Sequence, residues 1–126
     1  CAYYTPQRQA DEPGQSSMGG GMRKLPEPDF SALRALDPRT GELRWEHVFP
    51  TANLSGVMST ASGLVFAGDN EGHFNAFDGR TGKRVWSYRT GSPIWGAAAT
   101  SYMLDGRQYV LIPSGTNLTA FALETR

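Results

Sequence analysis

Apolar and polar residues alternate along most of the chain from Phe30 onward, in short runs broken by Gly, Asp, Asn and Pro. That period of two is the signature of half-buried strands. Ser31 to Leu36 alternates into an Asp-Pro turn, and Glu42 to Val48 returns from it. Val57-Met58-Ser59-Thr60 is short, with small and polar residues that suit an innermost strand. Gly63 to Gly68 reads as a buried central strand, Asp69 to Gly72 as a hairpin loop, His73 to Phe77 as a third strand and Lys83 to Arg89 as a fourth. The pattern then restarts. Pro93 to Thr100 is expected as another inner strand, Tyr102 to Leu104 and Gln108 to Ile112 flank an Asp105-Gly106 turn, and Asn117 to Leu123 is again a third strand.

The frame behind this pattern is a repeat. Ala35-Leu36-Asp37-Pro38-Arg39-Thr40-Gly41-Glu42-Leu43-Arg44-Trp45 recurs, 41 residues later, as Ala76-Phe77-Asp78-Gly79-Arg80-Thr81-Gly82-Lys83-Arg84-Val85-Trp86. In each copy a strand ends at Ala-x-Asp, a tight turn uses Thr-Gly because Gly accepts positive φ, and a second strand runs toward Trp. The Asp is placed to accept turn amides, and the Trp offers a flat face for a neighbouring sheet. Both indoles are therefore expected to be mostly buried at equivalent places. A period in the forties closed by Trp marks four-stranded propeller blades, which take about 40 to 50 residues each and number about 4 to 8 in a ring. The chain is thus all-β, a partial β-propeller of two to three blades.

Residues 1–29 differ from the rest. Ala2-Tyr3-Tyr4 reads as the tail of a strand, but Pro6, Pro13, Gly14, Gly19-Gly20-Gly21, Pro26 and Pro28 interrupt both periodicities, so this segment is expected to be an irregular Pro/Gly-rich loop ahead of blades spanning 30–126. It would make a long excursion between strands, with Met18 and Met22 available to pin it to an apolar patch.

Composition narrows the function classes. Among 126 residues, Lys+Arg and Asp+Glu are 12 each, so no net field recommends nucleic acid or an anionic membrane as partner. No apolar run is long enough to span a bilayer. The single cysteine, Cys1, cannot build a disulfide framework; it is read as an internal position of a longer protein, with a lipid-anchored N-terminus as the alternative. Asp69-Asn70-Glu71-Gly72 is rich in oxygen but lacks the spacing of an EF-hand and reads as a solvated turn. His47 and His73 have no partner at metal-ligand spacing. Ser59, Ser92 and Ser114 have no motif-placed His, so nucleophilic catalysis has no support. Asn53-Leu54-Ser55 and Asn117-Leu118-Thr119 match the short glycosylation pattern. Trp95 stands outside the repeat frame, with core packing as its first reading and exposure toward a central funnel as its second.

Beyond the repeat unit, the run Gly56 to Gly68, then Thr90-Gly91-Ser92-Pro93, Thr100-Ser101-Tyr102 and Asp105-Gly106-Arg107-Gln108-Tyr109-Val110, resembles in order and spacing the last two blades of quinoprotein alcohol dehydrogenases of the methanol and ethanol type. The resemblance covers about residues 30 to 123. It implies an eight-bladed propeller in the complete protein, holding pyrroloquinoline quinone (PQQ) with calcium or a lanthanide. It further implies a small alcohol as substrate, an electron acceptor such as a cytochrome c, and a periplasmic location. In that family the metal ligands, the catalytic Asp and the aromatic platform come from earlier blades, so no catalytic or metal-binding residue is assigned here. The part this stretch would contribute is one arc of the funnel, with Leu54, Ser55, Gly56, Trp95 and Gly115 as candidate cofactor-binding residues; Leu54 stands where the methanol branch often carries a Trp. The implied chain is inactive alone and binds the quinone weakly if at all. A different class, the non-enzymatic scaffold propeller of outer-membrane assembly lipoproteins, reuses the same Asp, Thr-Gly and Trp unit.

Overall fold

The computed structural model describes residues 2–5, 21–24, 26 and 30–123, and every regular element among them is a strand. These are β1 (Ala2–Thr5), β2 (Gly21–Lys24), β3 (Ser31–Leu36), β4 (Leu43–Phe49), β5 (Val57–Ser59), β6 (Leu64–Gly68), β7 (His73–Asp78), β8 (Arg84–Arg89), β9 (Thr100–Leu104), β10 (Arg107–Ser114) and β11 (Asn117–Ala122). All pairings are antiparallel. β5-β6-β7-β8 form a complete four-stranded up-and-down sheet, flanked in sequence by the pairs β1-β2 and β3-β4 and by a three-stranded sheet of order β11-β10-β9. The repeat-derived strands from β3 to β8 appear where the alternation places them.

Both copies of the turn fold alike. The Asp37 carboxylate accepts the N–H groups of Arg39 and Thr40 at 2.9 and 3.2 Å, and Asp78 accepts those of Arg80 and Thr81, both at 2.9 Å. Gly41 and Gly82 hold φ of 74° and 71°, which a Cβ would disfavour. The Arg44 guanidinium and these amides hold the Asp37 carboxyl below its ordinary pKa, as the backbone and hydroxyl of Thr81, then the Arg80 amide, do for Asp78.

Successive sheets meet through alternating faces. Val65, Ala67 and Phe77 of the four-stranded sheet pack against Leu33 and Phe49 of β3-β4. Its opposite face presents Phe66 and Phe74 to Val110, Ile112 and Phe121 of the next sheet, with Ile94 and Ala99 between them. Phe74 and Phe77 are completely buried; burial of such a side chain stabilises by about 1.5–3 kcal/mol. The Trp45 indole lies on the turn of the neighbouring sheet and donates its N–H to the Gly79 carbonyl at 2.8 Å. A Cβ on Gly82 would stand 2.7 Å from its ring, so Gly is required there twice over, for φ and for space.

Three expectations change. Trp86 is 39% exposed rather than mostly buried. Its ring stacks on Tyr88 and meets Phe121 edge-on at 5.2 Å, and among the described residues no turn covers it as one covers Trp45. A cleft of about 650 Å³ opens beside it, lined by Leu64, Phe66, Val110 and Phe121 among others. Second, the inner strand expected over Pro93 to Thr100 is β9, Thr100–Leu104. Residues 93–99 instead cross the end of the preceding sheet, where Ile94 fills the space left by the missing Cβ of Gly68 and donates its N–H to the Asp69 carbonyl at 3.1 Å. Third, Gly21–Lys24 is a strand paired with Ala2–Thr5 in the register Ala2↔Lys24, inside the stretch expected to be irregular. Ladder pairing overrides the weak strand propensity of Gly21; residues 6–20, with Met18, and Cys1 lie outside the described residues.

His47 is wedged between the first two repeat sheets, 4.9 Å from the Phe49 ring and 4.7 Å from that of Phe77. Burial, assisted by the nearby Arg84 charge and opposed by Asp69, lowers its pKa below 6.5. A base with a depressed folded pKa favours folding only while neutral, so its contribution is complete above 6.5 and is lost as pH falls toward the folded pKa. Urea unfolding of wild-type and His47→Phe chains between pH 7.5 and 5 is expected to show a flatter pH dependence for the variant in this window. Parallel curves would contradict the assignment.

Candidate functional site

The starts of β5, β7, β9 and β11 and the ends of β6, β8 and β10 lie at one end of the sheets, and the connections there gather all five candidate residues. The lead-in to β5 is held by Asn53, whose side-chain amide donates to the Gly68 carbonyl at 2.7 Å while its carbonyl accepts the Ser55 N–H at 2.8 Å. The Ser55 hydroxyl accepts the Gly68 N–H at 3.0 Å and lies 3.2 Å from the Ala97 carbonyl. The Gly56 N–H donates to that same carbonyl at 2.9 Å, and a Cβ on Gly56 would meet the Ala98 Cβ at 2.5 Å. The two inner lead-ins thus run in backbone contact.

Gly115 sits in the β10–β11 hairpin with φ 57°, where a Cβ would approach the Ser92 hydroxyl to 2.8 Å. The neighbouring Ser114 hydroxyl, almost fully buried, lies 2.7 Å from the Thr90 hydroxyl and 2.9 Å from the Ser92 carbonyl. Thr90 in turn donates to the Gly72 carbonyl at 2.9 Å, tying three loops into one rim.

The candidates therefore divide. Ser55, Gly56 and Gly115 are consumed in holding the rim: the hydroxyl of Ser55 has protein partners, and both glycines permit close approach. Leu54 and Trp95 are the two that present side chains outward, at 62% and 70% exposure. Trp95 is thus not a core residue. The rim thus carries a flat indole and an isobutyl group outward over loop ends joined by hydroxyl and backbone hydrogen bonds. Among the described residues no three acidic, His or Cys side chains converge as a metal would require. Asp69 resembles a ligand in sequence but its carboxylate takes the N–H groups of Glu71 and His73 and the Asn75 amide, organising the hairpin. Asn53 and Ser114 escaped sequence reading as rim supports. Their only signal was position, one just before an inner strand and one just before a hairpin glycine.

A family model described as "Outer membrane protein assembly factor BamB" matches residues 23–125. Over 98 residues the chain is 40% identical to the quinoprotein alcohol dehydrogenase PedE of Pseudomonas putida, covering 78% of this chain and 15% of that protein. The chain belongs to the quinoprotein alcohol dehydrogenase family of propellers. Similarity extends to the lanthanide-dependent methanol dehydrogenase of Methylorubrum extorquens, 32% identical over 119 residues, which cover 91% of this chain and 20% of that one. A solved europium-containing methanol dehydrogenase superposes with a TM-score of 0.68 at 27% identity, covering 89% of this chain and 20% of that one. The chain therefore spans 15 to 20% of the length of these relatives. The 40% identity over 98 residues is what links this chain to the quinoproteins.

The exposure of Trp95 can be checked by acrylamide quenching of tryptophan emission. Trp95→Phe is expected to remove the most quenchable component and to leave stability within about 0.5 kcal/mol, as for a surface substitution. An unchanged quenching profile would place the Trp95 indole elsewhere.

Proposed function

We propose that this chain is the C-terminal part of a PQQ-dependent alcohol dehydrogenase, supplying blades and one arc of the cofactor funnel. The observation that carries this reading is the coincidence of 40% identity to such an enzyme with a rigid rim on which Leu54 and Trp95 are the exposed apolar side chains. In the complete protein the quinone would accept hydride from a small alcohol, with calcium or a lanthanide as Lewis acid beside it. The residues here would do something simpler. Leu54 and Trp95 would cover one side of the ring system and exclude water, while Asn53, Ser55, Gly56 and Ser114 keep the rim from moving. Metal ligands and the base would come from other blades, electrons would leave to an acceptor such as a cytochrome c, and the location would be periplasmic.

The scaffold reading keeps one observation in its favour, the BamB description of the matching family model. A dye-linked assay with ethanol, PQQ and either calcium or a lanthanide separates the readings, run on the 126-residue chain and on the product of the open reading frame that contains it. The longer product should turn over, and the chain alone should stay at buffer level. An inactive but folded long product would favour the scaffold; turnover by the chain alone would mean that the active site lies within it.

A further inference from the structure

The tripeptide Asp-Gly-Arg occurs twice, at residues 78–80 and 105–107, and the two copies are held in opposite ways. In the first, the Asp78 carboxylate accepts the N–H groups of Arg80 and Thr81 and the Thr81 hydroxyl at 2.9, 2.9 and 3.1 Å. The Gly79 N–H is committed as well, donating to the Gly63 carbonyl at 2.8 Å. Neither the carboxylate nor the amide next to it is free to react with the other.

The second copy spans the β9–β10 hairpin, where the pairing of Leu104 with Arg107 leaves Asp105 and Gly106 as a two-residue turn. Their φ values are 50° and 76°, the positive pair that a type I′ turn requires, and Asp105 is the one non-glycine residue with positive φ among the described residues. Both residues are exposed. Among the described residues nothing bonds the Asp105 carboxylate or the Gly106 N–H, and the space beside the Gly106 Cα is open.

We propose that Asp105 is a covalent modification site of the folded chain, isomerising through a succinimide while Asp78, in the same tripeptide, is protected. The Gly106 nitrogen attacks the Asp105 Cγ and forms the new C–N bond; its proton and the carboxyl hydroxyl leave as water. Water then adds to one of the two ring carbonyls. Opening at the Cγ carbonyl restores aspartate. Opening at the backbone carbonyl leaves the chain running through the side chain as isoaspartate, with no oxidation or reduction in either direction. That product carries one more backbone carbon between Leu104 and Arg107, so it shifts the register of the hairpin. Arg107, whose guanidinium donates to the Leu123 carbonyl at 2.6 and 3.1 Å, is thereby pulled from the end of β11. The inference stands whether or not the protein binds a quinone.

The test is site-resolved peptide mapping of the full chain held for several weeks at neutral pH in heavy-oxygen water, with a parallel sample in urea. Each succinimide opening adds one heavy oxygen, and labelled methyl transfer by an isoaspartyl carboxyl methyltransferase counts the isoaspartyl product. In urea the two identical tripeptides should label at similar rates. In the folded chain Asp105 should label at least tenfold faster than Asp78, with the amides of residues 64–78 protected from exchange in the same sample as evidence of folding. Asp105→Ser should remove the signal from that hairpin. The proposal is overturned if the folded chain labels both sites equally, or if Asp105 labels at least tenfold more slowly in the folded chain than in urea.

Discussion

An indole lying on a glycine turn joins β3-β4 to the four-stranded sheet, and the packing between those two sheets is organised around that contact. Trp45 reaches the turn of the following sheet, donates to the Gly79 carbonyl and occupies the space that a Cβ on Gly82 would take. A single hydrogen bond of this kind contributes about 0.5–1.5 kcal/mol. Its larger effect is geometric, because it sets the distance and rotation at which Phe49 and Leu33 meet Phe77, Ala67 and Val65. On the opposite face of that sheet, apolar packing alone brings Phe74 against Val110 and Ile112. With the sheets stacked in this way, their connecting loops at one end fall side by side, and the rim carrying Leu54 and Trp95 follows from the stacking rather than from any local motif.

Rim rigidity comes from a different source. Short polar side chains, Asn53, Ser55, Thr90 and Ser114, satisfy backbone groups that the crowded loop ends would otherwise leave unpaired. Glycines at 56 and 115 let the chains come close enough for those bonds to form. The surface that results presents Leu54 and Trp95 outward and is hydrogen-bonded behind them.

Much of this was legible in the residues, for identifiable reasons. The Asp, Thr-Gly and Trp unit encodes its turn locally, through carboxylate-to-amide bonds and positive φ, and so both hairpins could be placed from sequence. Alternation likewise exposed β6, β7 and β10. What failed depended on partners distant in sequence. Residues 93–99 look like a strand by composition, but Ile94 is drawn into the gap above Gly68. Gly21–Lys24 looks like loop, but β1 pairs with it. Trp86 copies Trp45 in sequence but meets the edge of the Phe121 ring rather than a glycine turn, a partner that the repeat unit does not encode. The same limit applied at the site: Leu54 and Trp95 could be named as candidates, while the division between side chains that hold the rim and side chains that face outward required coordinates.

Urea unfolding of Trp45→Phe and Trp86→Phe chains, compared with wild type, tests the indole-to-turn contact most directly. Phe keeps a ring at each site and removes the N–H, which has a protein acceptor at Trp45. The account predicts a loss of about 1–2 kcal/mol for Trp45→Phe, from the bond and the unpaired carbonyl it leaves, and a clearly smaller loss for Trp86→Phe. Equal losses at the two positions, or a neutral Trp45→Phe, would contradict it.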